Sequence, residues 1–141
     1  MTEGRRQVRA LCAAVREALR EVERVGMLSD DAPDAHLSTV ERWTEGEADD
    51  TELREALAAS RARVDAQDRG EPGEPVMIAL TRAVDCALRA AQDVAWDARA
   101  QLPRDAVFFW VEATLELAGE RAEEALARST LAWDAALRRT P

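Results

Sequence analysis

Two pairs of acidic residues are the first candidates for chemistry in this 141-residue chain. Glu52 and Glu55 stand three residues apart, and Asp65 and Asp68 repeat that spacing further along the chain. Hard divalent cations such as Mg²⁺ prefer several carboxylate oxygens that converge from different helices. Both pairs fall within one predicted helix, so the two pairs do not face each other across a bundle. We therefore expect no metal site and no cofactor.

Histidine chemistry has a single candidate, because His36 is the only histidine in the chain. A covalent mechanism would need a nucleophile placed beside a base, and Ser38 and Thr39 are better explained as ordinary residues of an early helix turn. No glutamate stands three residues before His36, so the Glu-x-x-His pairs of a di-iron carboxylate bundle are also missing. We expect a structural or surface histidine and no catalytic residues.

The negative charge is concentrated in residues 30–55, which we call the acidic window. It contains ten acids and two arginines and carries a net charge of −8, out of −9 for the whole chain. Such a patch attracts basic partners and repels nucleic acid and anionic membranes, so neither of the latter is an expected partner. Helix capping, the helix dipole and solvation already explain these acids, and a docking face for a basic protein is the alternative that stays open. The candidate contacts for a basic protein partner are Glu45, Glu47, Asp49 and Asp50.

An aromatic run in residues 107–111 is the candidate self-association surface. Five successive helical residues cover more than a full turn, so they cannot all face one core. At least one large side chain needs a second contact, either another helix of the same chain or a subunit or ligand. The residues concerned are Phe108, Phe109 and Trp110. We expect most of the four tryptophans to be core anchors; they are Trp43, Trp96, Trp110 and Trp133.

The cysteines and the N-terminal segment indicate the compartment. Cys12 and Cys86 each lie among apolar neighbours in a helical pattern, where a thiol usually acts as a small hydrophobic group. Charged residues interrupt the N-terminal apolar pattern, and no segment approaches the roughly 20 apolar residues of a membrane span. We expect free thiols and a cytoplasmic protein.

The composition predicts the class of fold that holds these side chains in place. Ala, Leu, Arg and Glu dominate, Tyr, Asn and Lys are absent, and Ile occurs once, which favours helices over strands. The length suits one hydrophobic core. We therefore expect an all-α, single-domain bundle of about five helices over residues 1–141.

Apolar periodicity and cap signals place the five helices. They are expected at about residues 3–25, 33–44, 49–70, 75–101 and 104–137. Gly26, Gly46 and Gly70 mark helix ends, and the third helix opens on a capping box in which Asp49 and Glu52 satisfy each other's backbone N–H groups.

The last predicted helix is too long for a compact domain. About 35 residues at 1.5 Å each would exceed about 50 Å, whereas a domain of this size is about 35–40 Å across. Either the helix kinks near Gly119, or its overhang packs on a second copy of the chain. With the aromatic run, this length leads us to expect at least a homodimer, and a monomer kinked at Gly119 stays the alternative.

About half of the chain resembles the all-helical immunity proteins of bacterial polymorphic toxin systems. The segment from Val40 to Ala66 begins V-E-R-W-T-E-G-E-A-D-D-T-E-L-R-E-A, and an alanine-rich helix follows from Ala79 to Ala100. The residues that carry the resemblance are Arg42, Trp43, Gly46, Leu53, Arg54 and Ala56. The resemblance implies a small cytoplasmic protein that binds and blocks a toxin without any catalysis of its own.

Two other functions stay open. A structural or scaffold protein would self-associate through the aromatic run. The paired acids also resemble, in their spacing, the motifs that hold magnesium in all-α nucleotide pyrophosphatases, which would make the chain a Mg²⁺-dependent enzyme. We expect the non-catalytic, immunity-like protein-binding domain.

Overall fold

The computed structural model describes residues 1–139, and over that range the chain is helical without any strand. Six helices follow one another: α1 (Glu3–Arg24), α2 (Ala32–Thr44), α3 (Asp50–Asp68), α4 (Pro75–Trp96), α5 (Arg104–Leu117) and α6 (Ala122–Arg138). The all-α class is confirmed, and the predicted number of five helices is wrong by one. The last two residues of the predicted 1–141 domain lie outside the described residues. None of the helices within residues 1–139 combines the length and apolarity needed to cross a membrane.

The sixth helix arises because the long predicted helix breaks completely at Gly119. Its backbone φ is +109°, in the left-handed region that a side chain would disfavour. The Gly119 N–H donates to the carbonyl of Glu116, and the Glu120 N–H donates to that of Leu115, which closes α5. Since α6 then packs on α1 and α5, helix length no longer argues for a second copy of the chain.

The fourth helix ends five residues before the predicted end at Gln101. Asp97 adopts an extended backbone after Trp96, and its side chain accepts the N–H of Arg99 at 3.0 Å. Apolar alanines continue the helical pattern past this point, but Asp97 offers the backbone a competing turn.

The predicted start signals of α3 and α4 are confirmed. Asp49 accepts the N–H of Glu52 at 2.8 Å, and the Glu52 carboxylate accepts the N–H of Asp49 at 3.2 Å. Pro75 occupies the first turn of α4, where its missing N–H costs no helical hydrogen bond.

Helix α1 lies at the centre of the bundle and packs against α2, α4, α5 and α6. Residues 8–12 are all buried in succession, which happens only when neighbours surround a helix. Three of its four alanines, Ala10, Ala14 and Ala18, are fully buried, as are several alanines of α4. Gly4 approaches α4 so closely that an added Cβ would lie 2.8 Å from a methyl of Val94. Small residues therefore set the spacing between α1 and α4.

Two polar clusters hold the outer helices on this centre. On α6, Arg128 lies 2.7 Å from Glu17, 2.8 Å from Glu21 and 2.9 Å from Glu120. Glu17 and Glu21 belong to α1, so a single guanidinium joins α6 to the central helix. On the other side, the buried Asp85 of α4 accepts hydrogen bonds from Ser60 and Arg61 of α3.

The Arg128 cluster makes the unfolding free energy of the protein fall at acid pH. Hydrogen bonds from Arg24 and Arg128 lower the pKa of Glu21 from its usual 4.5 to about 2. A carboxyl whose pKa is lower in the folded state stabilises the fold above its unfolded pKa, and that stability is lost as pH falls from about 4.5 towards about 2. In urea denaturation at a series of pH values, we expect Glu21→Gln to flatten the fall of the unfolding free energy in this range.

Glu23→Gln is the matched control, because Glu23 is exposed on the same helix and forms no ion pair within the described chain. It should leave the pH dependence as in the natural sequence. Equal pH slopes for Glu21→Gln and the natural sequence would contradict the assignment.

Candidate functional site

The four acids predicted as partner contacts lie together at the turn between α2 and α3, but they differ in what they bind. Glu45 lies 3.6 Å from Arg9 of α1, and Asp49 caps α3. Asp50 accepts the indole N–H of Trp43 at 2.9 Å. Glu47 is exposed, and its carboxylate has no partner among the described residues. Three of the four acids therefore also serve the fold.

Asp50 in particular completes a buried anchor. Trp43 is almost fully buried at the end of α2, so its N–H needs an acceptor. The guanidinium of Arg5 lies 4.2 Å above the Trp43 ring and donates to the Trp43 carbonyl at 2.6 Å. The start of α1, the end of α2 and the start of α3 thus meet at one side chain.

Arginines from outside the acidic window compensate part of its charge. Arg16 of α1 binds both Asp34, at 2.5 Å, and Glu41. Arg63 of α3 lies 2.7 Å from Asp30. These arginines are distant from the window in sequence, so a count along the chain overstates the negative potential of this surface. The acids that remain exposed lie mainly at and after the α2–α3 turn.

The paired acids of the magnesium hypothesis do not converge. Glu52 lies 3.9 Å from Arg42, Asp65 lies 3.8 Å from Arg61, and Asp68 lies 2.5 Å from Arg82. Glu55 is exposed on the same helix. In residues 1–139 no three His, Cys, Asp or Glu side chains are grouped so that they could hold a metal ion.

His36 is half-buried on α2 beside the Arg63–Asp30 ion pair. Desolvation, and then the positive charge of Arg63, lower its pKa, while Asp30 acts in the opposite direction. The lowered pKa favours the neutral imidazole, which lies close to an ion pair between α3 and the segment before α2. We assign it no chemical role.

The aromatic run separates into three environments. Phe108 is buried and meets Trp133 of α6 edge to face, with ring centroids 6.2 Å apart. Trp110 is half-buried under Arg82 of α4, whose guanidinium lies 5.5 Å from the ring. Phe109 remains 61% exposed. Phe109 is the most exposed of the three, and α6 covers most of Phe108. The dimer contact through Phe108, Phe109 and Trp110 stays a prediction.

Phe109 borders a groove of about 390 Å³ between α5 and α6. On the α6 side the rim is Leu126, which is 52% exposed, and Thr130 lies beside it. On the α5 side, Asp105 and Glu112 flank Phe109. Arg104 closes one end of the groove, with its guanidinium 3.9 Å from the ring centroid of Trp133. We call this feature the α5–α6 groove.

Sequence reasoning missed most of the groove, although part of its signal is visible. Asp105, Phe109, Glu112 and Glu116 recur at steps of four, three and four residues, which places them on one face of α5. Leu126 has no such signal, because it continues the apolar pattern of a helix expected to be buried. Among the four tryptophans, Trp96 is the one outside the core, because it is 90% exposed at the end of α4.

Comparisons of the chain with protein-family models, with curated proteins and with solved structures give no significant match. The assignment of a function consequently depends on the geometry of the residues themselves.

The two cysteines should differ in reactivity. Both are free thiols; Cys12 is buried in α1, and Cys86 is half-buried in α4. Burial raises the pKa of both thiols, and Asp85 adds to the effect at Cys86. Because the thiolate is the reactive form, we expect an alkylating reagent at neutral pH to modify Cys86 slowly and Cys12 only after unfolding.

Mass spectrometry over a time course, with peptide mapping, measures the two rates separately. Labelling in denaturant provides the control, since both thiols should then react alike. Equal rates in the native protein, or an intramolecular disulfide, would contradict this assignment.

Proposed function

We propose that this chain is a non-catalytic protein-binding domain that acts as an immunity-like inhibitor, binding and blocking a toxin or another protein partner. The observation that carries the proposal is the α5–α6 groove, where Phe109 and Leu126 on neighbouring helices are both more than half exposed. Contiguous exposed apolar surface is one mark of a protein interface, and aromatic residues are enriched in interfaces.

The charge of the chain supports a basic partner. The net charge of −9 steers positively charged proteins towards the surface and speeds their encounter. After the internal ion pairs are taken into account, Glu47 and Glu55 remain exposed and without an ionic partner within the described chain. The acidic window would then affect the association rate, while apolar contacts elsewhere slow dissociation. The resemblance to immunity proteins agrees with this division, and a cytoplasmic location with free thiols would suit it.

A growth assay tests the inhibitor function directly. The candidate toxin is the protein encoded beside the gene for this chain. We expect its expression to stop growth of a bacterial host, and co-expression of this chain to restore growth through a stable complex that elutes as one species in size-exclusion chromatography. Failure of both rescue and complex formation with neighbouring gene products would contradict the proposed function.

Stopped-flow association with that toxin tests the acidic window. Because exposed charges are screened beyond about 8–10 Å at physiological salt, the association rate should fall steeply with added salt. Glu47→Arg with Glu55→Arg should lower it about tenfold at low salt. The charge-matched control is Glu23→Arg with Glu71→Arg, two exposed acids outside the window. Equal effects of the two double variants would show that net charge alone acts and would contradict a role for the window.

Calorimetry distinguishes the enzyme alternative. Because arginines already bind Glu52, Asp65 and Asp68, we expect no micromolar binding of Mg²⁺ or Mn²⁺. Binding that Glu52→Ala or Glu55→Ala abolishes would favour the nucleotide-pyrophosphatase alternative instead.

A further inference from the structure

We propose that the α5–α6 groove binds an amphipathic segment of a basic protein, with Phe109 and Leu126 contacting its apolar face and the acids of α5 pairing with its Arg or Lys side chains. This inference rests on the proposed protein-binding function and adds to it the place of contact and the chemistry of the partner.

The apolar contact comes from both walls of the groove. Phe109 and Leu126 are more than half exposed on neighbouring helices, and Phe108 and Thr130 lie between them. An apolar side chain inserted here would touch two large side chains at once. Most of the remaining exposed apolar residues are scattered: Trp96 ends α4, and Leu131 is five residues, or about 140° of helical rotation, from Leu126. In the groove, by contrast, the two exposed residues Phe109 and Leu126 line one concave surface.

Acids without ion pairs lie along the α5 side of these apolar residues. Asp105, Glu112 and Glu116 lie on the face of α5 that carries Phe109, and none of the three forms an ion pair within residues 1–139. The buried acids Glu21 and Asp85, by contrast, are bound by arginines. The α5 acids therefore remain available to basic side chains from outside the chain.

The electrostatics of Glu112 point the same way. Desolvation, and then the charge of Glu116 four residues away, raise the pKa of Glu112. Two like charges at this spacing destabilise a helix when nothing neutralises them. An arginine or lysine placed between Glu112 and Glu116 would relieve that repulsion, so a basic partner is stabilised more than a neutral one.

The same charges decide against a second copy of the chain. In a two-fold dimer built on this groove, each patch would meet its own copy. Asp105, Glu112 and Glu116 would then face acids, and each chain carries a net charge of −9. Arg104 at the end of the groove supplies one positive charge per chain against these three acids, which leaves the patch negative. An anionic membrane is disfavoured for the same reason.

Fluorescence anisotropy with designed peptides tests the proposal on the full chain. The probe is a labelled 15-residue helical peptide, of about four turns, with leucines on one face and arginines beside them; the comparison peptide replaces each arginine by glutamate. We expect the basic peptide to bind at least about tenfold more tightly than the acidic one, because like charges across an interface repel. Phe109→Ser should weaken binding of the basic peptide about tenfold, as should Glu112→Gln with Glu116→Gln.

Matched variants separate groove binding from general attraction to an acidic protein. Leu131→Ser removes an equally exposed apolar side chain outside the groove, and Glu23→Gln with Glu71→Gln removes the same charge elsewhere. Both controls should bind as the natural sequence does. Circular dichroism checks that every variant keeps the fold. Equal losses in groove and control variants would overturn the proposal.

Two further results separate this inference from the proposed function. Light scattering that finds a dimer at roughly micromolar concentration, converted to a monomer by Phe109→Ser, would assign the groove to a second copy and overturn the basic-partner proposal. If the Phe109→Ser variant still restores growth and binds the toxin with unchanged affinity, the groove proposal fails while the inhibitor function stands. If the natural chain rescues nothing but its groove binds the basic peptide, the inhibitor function fails and the groove specificity stands.

Discussion

The close contact between α1 and α4 is the constraint on which the rest of the structure depends. Fully buried alanines on both helices, and Gly4 against Val94, allow the two backbones to approach where larger side chains would overlap. With α1 surrounded, α2, α5 and α6 have to pack on its remaining faces, while α3 reaches the core through α2 and α4. The arrangement of the outer helices follows from this choice of small residues at the centre.

The position of α6 depends on a second condition, the left-handed turn at Gly119. It returns the chain to α1, where Arg128 binds two α1 carboxylates, and it brings Trp133 over Phe108. The same turn places Leu126 on the outer face of α6, across the groove from Phe109. The α5–α6 groove thus follows from how α6 is held, since Arg128, which binds α1, is about 160° of helical rotation from Leu126 at the groove.

The distribution of paired and unpaired charge bears most directly on function. A chain this acidic places arginines where they neutralise buried or interhelical carboxylates, as Arg16, Arg61 and Arg128 do. Carboxylates without such partners remain near the α2–α3 turn and along α5. A partner that carries positive charge can use both surfaces, the first for steering and the second for contact. This division supports the proposed binding function without requiring any reacting group.

Sequence alone determined the features that depend on neighbouring residues. The helical class, the capping box at Asp49 and the helix ends at Gly26, Gly46 and Gly70 follow from composition and local hydrogen bonding, and the structure has them all. The complete break at Gly119 and the early end of α4 also have local causes, a left-handed glycine and the Asp97 turn, although the apolar pattern continues past both. The exposure of Trp96 and Phe109 was decided by tertiary structure. An apolar pattern gives the face of a helix that can be buried, but not which positions on that face a neighbour will cover. Which positions are covered depends on how helices distant in sequence pack together. Ion pairs such as Arg16 with Glu41 also depend on this packing, because long-range contacts between charges leave no periodic signal along the chain.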